Sequence, residues 1–188
     1  MVEWVSAGVA ASKLVVISGG PGAGKTTVLR ELEHRGFRCA AEVARQIIRE
    51  EVRDGGDALP WLDRERYCRV MLERSIASYR DYEATALATF FDRGIPDTLC
   101  YARLIGSPLE EEIFAACKTY RYAERVFLAP PWQEIYATDS ERKQSYDEAE
   151  TTYHLMVEAY EDCGYEVMEI PRDTPAQRAD FIVNMLLG

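Results

Sequence analysis

The chain has 188 residues, with 22 Lys and Arg against 32 Asp and Glu, which gives a formal net charge of −10. This length predicts one compact domain with a sizeable core. The acidic balance argues against a nucleic-acid-binding protein, because such proteins collect phosphates with clustered positive charge. No apolar run approaches the roughly 18–20 residues of a membrane span. The first residues lack the basic start of a signal peptide, so we expect a cytoplasmic protein.

The five cysteines are widely spaced, and no two of them form a Cys-x-x-Cys pair. An odd, scattered set is typical of reduced thiols and offers no metal-ligand spacing. We interpret them as small, half-buried hydrophobic side chains.

The predicted elements in the first half of the chain alternate between strands and helices. A β-branched run at 13–18 predicts a buried strand. Residues 27–35 predict a helix that ends at Gly36. The further elements expected in this half are a strand at 37–41, helices at 42–53 and 62–84, and a strand at 85–91.

The second half continues the alternation. Thr174, Pro175 and Gln177 form a helix-start signature of N-cap, first-turn proline and capping-box glutamine. Residues 134–145 form a polar stretch that we expect to be mobile. The elements expected here are a helix capped by Asp97 and ending at 105, a helix at 109–120, a strand at 125–129, a helix at 146–160, a strand at 164–170 and a helix at 175–187.

This alternation predicts an α/β domain at 13–188 after an N-terminal extension at 1–12. The expected architecture has three layers, with a mostly parallel five-stranded sheet and helices on both faces. A glycine-rich loop between the first strand and the first helix identifies it as a P-loop NTPase fold.

That loop, Gly19-x-x-x-x-Gly24-Lys25-Thr26, is the strongest functional signal. Backbone N–H groups and the positive end of the following helix converge there on an anion. Lys25 is expected to reach the β- and γ-phosphates of ATP, and the Thr26 hydroxyl to ligate Mg²⁺. The predicted nucleotide-binding residues are Gly19, Gly20, Pro21, Gly22, Ala23, Gly24, Lys25, Thr26 and Thr27.

Asp92 and Arg93 follow the apolar run of the third strand. Ligands of such sheets bind beyond the carboxyl ends of the strands, so Asp92 is expected to face the phosphates. It would either support Mg²⁺ through water or act as a general base. Arg93 is a candidate clamp for the transferring charge. Asp97 is interpreted mainly as a helix cap.

Glu42 and Arg45 follow the second strand. Glu42 could take a proton from an acceptor hydroxyl while Arg45 binds an anionic group of the acceptor. The alternative is a solvated ion pair three residues apart on one helix.

Two further candidates lie in less regular segments. Arg142, followed by Lys143, suits a lid that closes over the phosphates, although a solvated face would look the same. Trp61, beside a helix start, is a candidate for stacking on a substrate ring.

The sequence resembles a group of small bacterial predicted ATPases with a single AAA-labelled P-loop domain. That group is similar to ribosylnicotinamide kinase domains and, more loosely, to nucleoside and thymidylate kinases. In such kinases a carboxylate after the second strand serves as base, an Asp-Arg pair follows the third strand, and lid arginines assist transfer. The segments that carry the resemblance are 19–27, 42–45, 91–97, 125–132 and 138–143.

The resemblance implies an ATP- and Mg²⁺-dependent phosphotransferase acting on a small nucleoside- or nucleotide-like acceptor. Arg93 follows Asp92 where AAA+ machines carry Asp-Glu, and no Asn-Lys-x-Asp motif of GTPases occurs. Both differences favour a kinase-like protein over an AAA+ machine or a GTPase. The alternatives are an ATPase and a nucleotide-dependent regulatory or interaction protein.

Overall fold

The computed structural model describes residues 13–135 and 146–187. The predicted extension at 1–12 lies outside these residues, and so does most of the polar stretch at 134–145, Arg142 included. The strands are β1 (Leu14–Gly19), β2 (Arg38–Ala40), β3 (Thr89–Asp92), β4 (Arg125–Ala129) and β5 (Glu166–Glu169). The helices are α1 (Lys25–His34), α2 (Val43–Asp54), α3 (Arg64–Glu83), α4 (Ile95–Ile105), α5 (Glu110–Thr119), α6 (Tyr146–Asp162) and α7 (Pro175–Leu187).

The five strands form one parallel sheet in the order β2-β3-β1-β4-β5. β1 lies at the centre, where Val16 pairs with Phe91 of β3 and Ile17 with Phe127 of β4. All six of its residues are buried, as its β-branched sequence predicts. The carboxyl ends of β1, β2 and β3 therefore meet at one edge of the sheet.

Helices cover both faces of the sheet, which confirms the predicted three-layer architecture. On one face, Val16 and Phe91 pack with residues of α3, α4, α5 and α6. On the other, Val15 and Ile17 pack with residues of α1 and α7. Successive residues of β1 thus face opposite layers, as the strand repeat requires. None of the helices in the described part of the chain is long and apolar enough to span a membrane.

Several element boundaries differ from the sequence prediction, and two of the differences have a clear physical cause. The third strand begins at Thr89 rather than 85, because the backbone N–H of Thr85 bonds to Tyr82 O and extends the helical turn. Helix α4 begins at Ile95, two residues before its predicted cap. Asp97 is its third residue, and its carboxylate accepts from the backbone N–H of Gly94 at 2.8 Å. The prediction of Asp97 as the N-cap was therefore wrong.

All five cysteines are free, and four of them are buried. This agrees with their interpretation as hydrophobic side chains. Among the described residues, no group of three or more His, Cys, Asp or Glu could hold a metal ion.

Candidate functional site

The glycine-rich loop joins the central strand β1 directly to α1. Gly19 has φ +136, and a side chain there would collide with the carbonyl oxygen of Ala129 in β4. Gly24 has φ +77, and its added Cβ would stand 2.6 Å from Nη1 of Arg178. Both positions have a backbone conformation that favours glycine. In addition, Gly19 allows close packing against β4, and Gly24 allows the approach of an arginine.

Lys25 begins α1 and is folded back over the loop. Its Nζ donates to the carbonyl oxygens of Gly19 at 2.7 Å and Gly20 at 3.1 Å, and the residue is only 7% exposed. Burial, with a further contribution from the positive Arg93, lowers the pKa of Lys25 to about 8. An anion beside this ammonium would counteract both effects.

The two threonines after Lys25 are exposed at the start of α1. Thr27 Oγ1 donates to Gly24 O at 2.7 Å and so braces the loop. Thr26 lines the cavity beside the loop.

Glu42, Arg93 and Asp97 form an ion network beside the loop. Arg93 donates from Nε to Glu42 Oε1 at 2.9 Å and from Nη1 to Asp97 Oδ1 at 3.0 Å. Its φ of 74 is unusual for a residue with a side chain, and its backbone N–H is tied to Ile17 O at 3.0 Å. The backbone and the side chain of Arg93 are thus both fixed before any ligand binds.

Asp97 is the buried centre of this network. Besides Arg93 and the N–H of Gly94, its carboxylate accepts from Ser18 Oγ at 2.5 Å and Tyr160 Oη at 2.5 Å. Four donors therefore satisfy one carboxylate that is 8% exposed. Asp97 positions Arg93 and ties β1, α4 and α6 together at the site.

The charges in this network hold one another ionised. Burial alone would raise the pKa of Glu42, but the positive charges of Arg93 and Lys25 outweigh it and lower that pKa. Burial likewise works to lower the pKa of Arg93, yet Asp97 and Glu42 raise it above its ordinary value. Glu42 is also the N-cap of α2, but it makes no side-chain capping bond there. Its carboxylate is committed to the site instead.

Asp92 is the last residue of β3, and unlike Glu42 and Asp97 it has a buried carboxylate oxygen, Oδ1, without a hydrogen-bond partner. Burial raises the pKa of its carboxyl group, although Lys25 opposes this. A buried, unpaired acceptor at the edge of the phosphate-binding loop fits a water molecule of a hydrated Mg²⁺ ion.

A cavity of about 550 Å³ joins the loop to this network. One end is lined by Glu42, Arg45, Asp92 and Arg93, and Arg45 Nε lies 3.5 Å from Glu42 Oε2. The opposite end is lined by residues of the chain after β4 and before or within α7, which are Trp132, Ile135, Asp173, Thr174, Pro175 and Arg178. We call the end lined by Glu42, Asp92 and their neighbours the acidic end, and the end lined by Trp132 and Arg178 the Trp132 end.

The structure brings most of the predicted site residues together. The loop residues from Pro21 onward, with Glu42, Arg45, Asp92 and Arg93, line one cavity. Trp61 is 60% exposed and does not line it. The predicted lid residue Arg142 lies outside the described residues.

Three residues with substantial roles in the site were not predicted from the sequence. Asp97 was assigned to capping, and no helical spacing rule marks its ion pair with Arg93, because Arg93 lies before α4 and has φ 74. Trp132 was assigned no role in the site. Arg178 carries no motif at all, and only the packing of α7 brings it to the loop.

A parallel sheet with a phosphate-binding loop between its central strand and first helix defines the class of P-loop NTPases with a kinase-like fold. The sequence profile of the AAA domain matches residues 14–178. The chain therefore belongs to the AAA domain family. Among curated proteins, none matches the sequence.

Solved structures similar to this chain include a NadR protein and two kinases. The chain is 20% identical to NadR in complex with NR, with a TM-score of 0.71 over 93% of this chain and 50% of that one, so it spans about half the length of NadR. It is 13% identical to deoxyadenosine kinase from M. mycoides, with a TM-score of 0.62 over 93% and 98% of the two chains. For thymidylate kinase from Candida albicans the identity is 11%, the TM-score 0.62 and the coverage 94% and 92%. At these identities the likeness establishes the fold.

Proposed function

We propose that this protein is an ATP- and Mg²⁺-dependent phosphotransferase that acts in the cytoplasm on a small, hydroxyl-bearing, nucleoside- or nucleotide-like acceptor. The observation that carries the proposal is the shared cavity, in which Glu42 and Arg93 stand open to the phosphate-binding loop. A protein that only bound a nucleotide would need no prepared carboxylate beside the γ-phosphate. The likeness in fold to deoxyadenosine kinase and thymidylate kinase supports the same proposal.

Each charged residue then has a role. The loop amides and Lys25 hold the phosphate chain, and Arg93, fixed by Glu42 and Asp97, faces the phosphoryl group that moves. Glu42, kept ionised by its neighbours, accepts the proton of the acceptor hydroxyl. Arg45 is 46% exposed and is placed to bind an anionic or polar group of the acceptor. Arg142 would complete the site as a lid residue.

Thr26 and Asp92 are the residues that would hold Mg²⁺, Thr26 through its hydroxyl and Asp92 through water. The unpaired Oδ1 of Asp92 supports this assignment. When bound, Mg²⁺ neutralises charge on the phosphate oxygens. The assignment leaves Glu42 as the base.

The net charge of −10 supports a small acceptor over a nucleic acid. The positive groups of the described site are few and local, and they suit a nucleotide whose charge is partly neutralised. Five free cysteines agree with a reducing compartment.

A phosphorylation screen with ATP labelled on the γ-phosphate tests the proposal. Nucleosides, nucleotides and small hydroxy compounds are offered as acceptors, with Mg²⁺ present. We expect one acceptor class to gain label, and the Lys25→Ala variant to transfer about 100- to 1,000-fold more slowly. Lys118→Ala, which removes a lysine on α5 that bonds Asp162 O, serves as the control and should retain full activity.

Hydrolysis of ATP at the same rate with and without every acceptor, and no labelled product, would overturn the kinase assignment. Water would then be the acceptor, as in an ATPase. Tight nucleotide binding with negligible turnover would indicate a regulatory protein instead.

A further inference from the structure

Arg178 is a buried cation at the Trp132 end of the cavity. It is the fourth residue of α7 and is 2% exposed. Nη2 donates to Ala23 O in the phosphate-binding loop at 3.0 Å, and Nη1 lies against Gly24. The guanidinium carbon stands 5.9 Å from the ring centroid of Trp132. The side chain thus reaches from the last helix to the loop.

In the part of the chain that the structure describes, no acidic residue neutralises this guanidinium. Within residues 13–135 and 146–187, no carboxylate lies within ion-pair distance of Arg178, and its Nε is buried without a hydrogen-bond partner. Burial alone lowers its pKa, with no charged neighbour opposing the effect. Because an unpaired buried charge is costly, such an arrangement points to an anionic partner that arrives from outside.

The position of Arg178 along the cavity identifies which anion this is. The lysine of a P-loop, here Lys25, contacts the β- and γ-phosphates of the nucleotide. Glu42 and Arg93 lie on the side of Lys25 that faces the acidic end. The nucleoside must therefore extend toward the Trp132 end, which makes the α-phosphate the group that passes Arg178. Thr27 Oγ1 lies 3.7 Å from the Cβ that would be added at Gly24, so Thr27 and Arg178 flank the same loop residue.

We infer that Arg178 is a nucleotide-binding residue whose free guanidinium N–H donates to the α-phosphate of the bound nucleotide. The inference rests on the nucleotide binding that the proposed function requires. Arg178 also holds Ala23 O, so it couples the position of the loop to the presence of the α-phosphate.

Binding measurements on Arg178→Met test the inference. The ligands are AMP, which has only the α-phosphate, ADP, and inorganic pyrophosphate, which occupies the loop without a nucleoside. We expect the affinities for AMP and ADP to fall about 10- to 100-fold, as for a lost hydrogen bond to a charged group. The affinity for pyrophosphate should be unchanged, and Arg178→Lys should recover part of the loss. Arg172→Met, which removes a half-exposed arginine that bonds Pro131 O, is the matched control.

Thermal unfolding separates this role from a purely structural one. The rise in melting temperature caused by ADP should shrink in Arg178→Met, while the melting temperature without ligand should not fall. Equal weakening of AMP, ADP and pyrophosphate would mean that Arg178 only positions the loop, and it would overturn the inference. Unchanged AMP and ADP affinities would overturn it as well. If the wild-type protein bound no ADP, both this inference and the proposed function would be wrong.

Discussion

Two arginines, Arg93 and Arg178, stand at opposite ends of one cavity, and their surroundings differ. Arg93 is held by two carboxylates, at 2.9 Å from Glu42 and 3.0 Å from Asp97. Arg178 touches a backbone carbonyl and an indole, and in the described part of the chain it has no ion-pair partner. Burial works against the charge of both, but only Arg93 has neighbours that reverse its effect.

The difference indicates how each end is used. Arg93 belongs to a network that is complete without ligand, which suits a group that must be oriented before transfer begins. Arg178 is incomplete, which suits a group that recognises an incoming anion. A chain with a net charge of −10 can therefore bind phosphates by leaving one buried cation unneutralised where the nucleotide enters.

Glu42→Gln should produce the largest change at the acidic end. The amide keeps an acceptor oxygen for Arg93 but takes no proton from the acceptor hydroxyl. We expect kcat for acceptor phosphorylation to fall about 100-fold, with the affinity for ADP nearly unchanged. Steady-state kinetics and ADP titrations measure the two quantities. Glu50→Gln on the same helix, where the partner is the exposed Arg74, is the control. A parallel loss of ADP affinity would show that the two ends are not separate.

Asp97→Asn should loosen Arg93 and destabilise the fold. Each carboxylate oxygen of Asp97 accepts from two donors, so an amide NH₂ group in place of either oxygen would face two of them. We expect the free energy of unfolding to fall by about 3 kcal/mol, as for a broken buried pair. Urea unfolding measures it, and Asp162→Asn, at an exposed pair with Arg103, should change it by less than about 1 kcal/mol. Equal small effects for the two variants would contradict the central role given to Asp97.

The pH dependence of kcat/KM should show the smallest effect. The pKa of Glu42 lies below its ordinary value of 4.5, so its ionised form stabilises the fold above that pH, and this contribution is lost as pH falls through the folded-state pKa. Arg93→Met removes the main opposing charge and leaves burial, which raises the pKa. The acid limb of kcat/KM should therefore move to higher pH in Arg93→Met. If the acid limbs of the wild type and Arg93→Met lay at the same pH, Arg93 would not control the ionisation of Glu42.

The acidic end was largely predictable from sequence, because its residues follow strands. β1, the loop and α1 are contiguous, and Glu42 and Asp92 come after strands whose carboxyl ends meet in a parallel sheet. The positions of these residues follow from local sequence patterns and from the rule that ligands bind at the carboxyl ends of parallel strands.

The remaining contacts depend on distant packing. Asp97 meets Ser18 and Tyr160 across 79 and 63 residues, and Arg178 meets Ala23 across 155 residues. No local pattern marks these partners. The surroundings of Trp61 were unpredictable for the same reason, because a position beside a helix start does not reveal which surface an aromatic residue faces. Trp61 is 60% exposed and does not line the cavity.

A crystal structure with AMP-PNP and Mg²⁺ tests the two-ended cavity most directly. We expect the α-phosphate within hydrogen-bond distance of Arg178, the γ-phosphate beside Lys25 and Arg93, and open space between the γ-phosphate and Glu42 for an acceptor hydroxyl. A nucleoside lying toward Glu42, or side chains filling the space beside the γ-phosphate, would contradict it.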